Sequence, residues 1–106
     1  MPNFRTMNAR ELSEAFKTLS ECPKPFSGHL RQLAASLDQF QGYGEEFDGV
    51  ANAFDVARIK FEYKVQRGHA GVPEWAEITH TAAVLAVTLG VISNVTPVTT
   101  RKPVSV

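Results

Sequence analysis

Few residue groups in this chain have the types and spacing that chemistry needs. Glu77-Ile78-Thr79-His80 is an E-x-x-H, which on a helix aims a carboxylate and an imidazole at one point, as metal ligation requires. A carboxylate-bridged di-metal bundle takes two such motifs plus further Glu from facing helices. Here the motif stands alone, with His29 and His69 outside any match, so His80 reads as a hydrogen-bonding residue in or at the edge of the bundle. Cys22 is a nucleophile only as a thiolate. It falls at the C-terminal end of the first predicted helix, where the dipole is negative and opposes ionisation, so it reads as a packed thiol behaving as a small hydrophobe. A single cysteine also excludes an internal disulfide and the usual cysteine-based zinc site.

Charge is balanced in total, eleven basic against eleven acidic residues, but segregated along the chain. Asp38 to Asp55 holds five acids and no base, and Arg58 to Arg67 holds four bases and one acid. Glu45, Glu46, Asp48 and Asp55 resemble the acidic helices that hold Mg²⁺ in all-helical nucleotide pyrophosphohydrolases. Those enzymes take paired clusters on two helices, whereas this chain offers one, with Asp38 nearby. The basic stretch, with Tyr63 inside it, has the composition of a local phosphate-binding patch. The neutral whole favours a simpler reading, acids at a helix start and bases toward its end. Gly42-Tyr43-Gly44 and Gly68-His69-Ala70-Gly71 match neither a P-loop nor a dinucleotide fingerprint and read as turns.

The elements that must position these residues are predicted as helices. Asn8 and Glu11 form a capping-box pair, followed by a buried stripe at Leu12, Ala15, Phe16 and Leu19. Pro23 and Pro25 end that helix near Cys22. Ser27 is the expected cap of a second helix carrying Leu30, Leu33, Ala34, Leu37 and Phe40, with Gly42 past its end. From Gly44 to Arg67 two readings compete. Phe47, Val50, Phe54, Ala57 and Phe61 repeat at heptad spacing, which predicts one long helix. Arg58 to Gln66 alternates polar and apolar without a break, the pattern of a half-buried strand. The acid-to-base order along the segment and the absence of a pairing strand favour the helix, which leaves Ile59 and Tyr63 pointing away from the Phe stripe. Pro73 is the expected first residue of a fourth helix with Trp75, Ile78, Ala82, Leu85 and Leu89 on one stripe and Val84, Val87 and Val91 elsewhere. So apolar a helix should be the central, most buried element. No Asp, Glu, Lys or Arg occurs from Ile78 to Thr100, a length that matches a membrane span. His80, Asn94, Pro97 and the Ser/Thr-rich stretches favour a soluble core helix instead.

The expectation is therefore an all-α, four-helix bundle-like domain over residues 1–95 with an extended tail over 96–106, the alternative being α+β with a strand at about 58–66. No site assembles two convergent catalytic roles, so the chain reads as non-enzymatic, without cofactor or bound metal. It lacks the apolar run of a secretory signal and reads as cytoplasmic. The expected activity is to occupy a surface on a partner macromolecule, a protein first of all, in the manner of small accessory or inhibitor proteins of phages and mobile elements. Ile59 and Tyr63, with Arg58, Lys60, Lys64 and Arg67, are the candidate contact residues. Pairing with its own copy is a further expectation, since a helix with two apolar faces suits a symmetric dimer. The alternatives are nucleic-acid binding through the basic stretch 58–67 and a small helical metal-dependent hydrolase; a membrane partner is not expected.

Overall fold

The computed structural model describes residues 7–40 and 42–95, and no strand occurs among them. Four helices, α1 (Ala9–Ser20), α2 (Leu30–Ser36), α3 (Glu45–Gln66) and α4 (Val72–Val95), pack as a small all-α bundle-like domain. The expected tail over 96–106 lies outside the described residues.

Local signals set most of the boundaries. The capping box at α1 is complete: the Glu11 amide donates to Asn8 Oδ1 at 2.9 Å and the Asn8 amide donates to Glu11 Oε1 at 3.0 Å. α2 departs from expectation at both ends. Its cap is His29 rather than Ser27, in a left-handed conformation (φ 68) with its ring Nδ1 3.0 Å from Gln32 Oε1. Phe26 crowds Gly28 so closely that a Cβ there would come within 2.6 Å of the ring. Residues 28 and 29 form a turn, and the helix starts only after it. At its other end α2 tightens into a 3-10 turn over Leu37–Phe40 before Gly42, whose φ of 92 supplies the expected left-handed residue.

α3 is continuous from Glu45 to Gln66, so the alternating run 58–66 is helical. Among the described residues a strand would have nothing to pair with, while the helical register buries Phe47, Phe54, Ala57 and Phe61 together. Gly71 turns the chain into α4 with φ 69, and a Cβ there would strike the Phe61 ring at 2.8 Å. α4 begins at Val72, which makes Pro73 its second residue, and the Trp75 amide closes the first turn onto the Gly71 carbonyl at 2.8 Å.

α4 packs against both α1 and α3. Both contacts are antiparallel. Ser13 Oγ donates to the Ala86 carbonyl at 2.6 Å near one end of α1, and Trp75 Nε1 donates to the Cys22 carbonyl at 3.4 Å near the other. Across the other contact Phe61 and Trp75 lie 5.3 Å apart, centroid to centroid, and Lys64 meets Glu74 at 3.5 Å. Phe16 from α1 reaches Phe54 of α3 edge-on at 5.2 Å, so all three long helices share one core. α4 takes the central place expected of it, packed by both α1 and α3, but only one of its faces is buried. It buries Trp75, Ile78, Ala82, Leu85, Leu89 and Ile92 on one face, while Val87 and Val91 stay 69% and 56% exposed. α2 packs on α3, and among the described residues no element covers the far face of α4. Val72–Asn94 is long and apolar enough to cross a bilayer, with a mean hydropathy of 1.5 and 33% of its most apolar stretch buried.

Candidate functional site

The site is built on α3, whose register produces two apolar stripes. Heptad spacing puts Phe47, Val50, Phe54, Ala57 and Phe61 on the core side. The same spacing shifted by two residues puts Gly49, Asn52, Val56, Ile59, Tyr63 and Gln66 on the opposite side. A two-residue step on an α-helix is a rotation of roughly 200°, so the second stripe faces away from the bundle. Val56, Ile59 and Tyr63 are 41%, 52% and 53% exposed. Such a stripe costs solvation and does nothing for the core behind it.

The candidate contact residues divide by face. Ile59 and Tyr63 lie on the outward stripe. Lys60 borders it, exposed, and makes no ion pair among the described residues. Arg67 caps the stripe's end with its guanidinium 4.6 Å above the Tyr63 ring, a cation–π arrangement that holds both groups at the surface. Arg58 points elsewhere. Its side chain is 12% exposed and tied to Asp55 at 2.7 Å and Glu62 at 3.1 Å, and Glu62 also accepts from Arg31 at 3.1 Å. Burial works against the charged Arg58 guanidinium, but its hydrogen bonds to Asp55 and Glu62 and their negative charges outweigh that and raise its pKa above the ordinary arginine value. Lys64 turns toward α4 and Glu74. The structure therefore brings Ile59, Lys60, Tyr63 and Arg67 together and directs Arg58 and Lys64 into ties within the fold.

Val56, which the sequence sets off the Phe stripe together with Ile59 and Tyr63, completes the outward stripe. Beside it runs an apolar groove of about 530 Å³ between α3 and α4, walled by Ala53, Val56, Ala57 and Lys60 on one side and Ala76, Glu77, His80 and Thr81 on the other. Glu77 and His80 of the E-x-x-H thus share one groove, but among the described residues no three His, Cys, Asp or Glu side chains are placed to hold a metal.

A second concavity, about 730 Å³, lies between α2 and α3. Asp38, Asp48 and Asp55 line it with Arg31 and Arg58. Of the acids singled out by the pyrophosphohydrolase resemblance, Asp48 and Asp55 reach this cleft with Asp38 but Glu45 and Glu46 do not line it; Asp55 is engaged by Arg58, and the Asp48 carboxylate accepts weakly from the Gly42 amide at 3.4 Å. Cys22 is half-buried against the core and donates to the Lys24 carbonyl at 3.3 Å, as a packed thiol would.

No protein family, curated protein or solved structure matches the chain.

Proposed function

We propose that this chain is a non-enzymatic interaction module that acts by laying the outward stripe of α3 on a protein partner. The observation that carries the reading is the exposure of Ile59 and Tyr63, each about half open to solvent on a helix fixed from behind by fully buried Phe54 and Phe61. A rigid helix presenting aliphatic and aromatic side chains, bordered by Lys60 and Arg67, has the composition of an interface core with a charged rim. Acting by contact alone suits an accessory or inhibitor role of the kind phages and mobile elements encode, in which a small domain blocks or retunes a larger complex.

The nucleic-acid reading is weaker because two of the bases it needs already have acidic partners: Arg58 is largely buried between Asp55 and Glu62, and Lys64 pairs at the surface with Glu74. The hydrolase reading is weaker because Asp55 of the α2–α3 cleft is tied to Arg58 and, among the described residues, no three His, Cys, Asp or Glu side chains are placed to hold a metal.

The test is site-specific photocrosslinking in the native host. A photoreactive side chain at position 63 or 59 is expected to give discrete adducts, and one at the exposed Thr18 of α1 is not. Adducts from position 18 with none from 59 or 63 would place the contact on another face.

A further inference from the structure

We infer that the occupant of the outward stripe of α3 is a second copy of this chain, packed antiparallel about a two-fold axis passing between Val56 and Ile59. This rests on the reading of that stripe as a contact surface and names its partner.

Charge supplies the first argument. Glu45, Glu46, Asp48 and Asp55 occupy the first half of α3, which contains no base, and Arg58, Lys60, Lys64 and Arg67 crowd the second. Laid on itself in parallel, the helix would set acid on acid and base on base. Laid antiparallel, the acids at the start of one copy that make no ion pair among the described residues, Glu45 and Glu46, come to Arg67 at the end of the other, while Asp55, Arg58 and Lys64 keep their partners within their own copy. The pairing also uses charges that the fold leaves available, because Glu46 is exposed with no ion pair among the described residues and Arg67 is held at the stripe's end by Tyr63.

Register supplies the second. In antiparallel helix pairs the alternating three- and four-residue steps mesh as layers of unlike positions, with charged residues flanking the seam. The outward stripe keeps those steps from Gly49 to Gln66. Centred between Val56 and Ile59, it sets Val56 against Ile59 of the second copy and Tyr63 against its Asn52, an amide facing a phenol. Gly49, around which a Cβ would find nothing within 4 Å, lies opposite Gln66 and leaves it room. Glu46 then flanks Arg67 of the second copy on both sides of the axis. The isologous geometry makes each of these contacts occur twice, which is how a closed two-fold dimer arises.

The decisive experiment is sedimentation equilibrium of the intact protein with a charge-swap series. The wild type is expected to show the mass of a dimer that dissociates on dilution. Glu46→Arg and Arg67→Glu should each weaken dimerisation about tenfold, since each turns two attractions into repulsions, and the double variant should recover most of the loss. A second measurement fixes the direction. In a Cys22→Ser background, Val56→Cys and Ile59→Cys proteins should form a disulfide when mixed far faster than either does alone. A monomer at all concentrations overturns self-pairing, as does a dimer that the swaps leave unchanged, and rapid cross-linking of Val56→Cys to itself would indicate a parallel pair. A monomer whose position 63 still crosslinks to a foreign protein overturns the dimer while leaving the contact-surface reading in place.

Discussion

Phe61 and Tyr63 stand two residues apart on α3 and face opposite ways, the first 1% and the second 53% exposed. On a strand they would share a face; on a helix a two-residue step is a half turn and more. The core therefore holds one ring of the pair and the surface displays the other.

That division predicts unequal costs. Phe61→Ala should lower the unfolding free energy by about 3–5 kcal/mol, the range for removing a buried phenylalanine. Ile59→Ala should change it by no more than about 0.5 kcal/mol. Urea titrations of dilute protein check both values.

The two glycines that bracket α3's function should respond with opposite sign. Gly71→Ala forces a side chain into a left-handed backbone and onto the Phe61 ring, and should destabilise by more than about 1 kcal/mol. Gly49→Ala adds a methyl in open space within a helix, and should stabilise by about 0.5–1 kcal/mol. Thermal melts at low concentration separate the pair.

Arg58 and Lys60 also part company. Arg58→Ala leaves Asp55 and Glu62 without their shared cation and should cost about 1–2 kcal/mol. Lys60→Ala, at the edge of the exposed stripe, should leave folding within about 0.5 kcal/mol of wild type. Denaturation midpoints at constant slope would confirm the contrast.

At the N-terminal end, Asn8→Ala removes the acceptor for the Glu11 amide and should cost about 1 kcal/mol. Hydrogen exchange should show the loss concentrated in the first turn of α1, the part of the helix the box closes.

Much of this was legible in the chain itself. Asn8 with Glu11, the heptad of phenylalanines and the turn at Gly42 each combine a residue type with a spacing that has one good local solution. The ambiguity at 58–66 came from a real coincidence. A helix with two opposed apolar stripes alternates over a short window as a strand does, and only the longer Phe47-to-Phe61 repeat separates them. Other features depend on neighbours that spacing does not reveal. Ser27 is not the cap of α2 because a turn at 28–29, with His29 left-handed, comes between it and the helix. Arg58 left the contact set because Asp55 and Glu62 sit within one turn of it and capture it. The bare face of α4 at Val87 and Val91 follows from where α2 packs, a tertiary fact with no sequence signal of its own.

The most direct test of the contact surface is a paired measurement on Tyr63→Ala. Its unfolding free energy is read at dilution, and its association with the crosslinked partner, or with itself, by calorimetric titration. The surface reading predicts stability within about 0.5 kcal/mol of wild type and association weakened by at least about 1 kcal/mol, as expected of an aromatic anchor. Folding impaired by several kcal/mol, or association untouched, would contradict it.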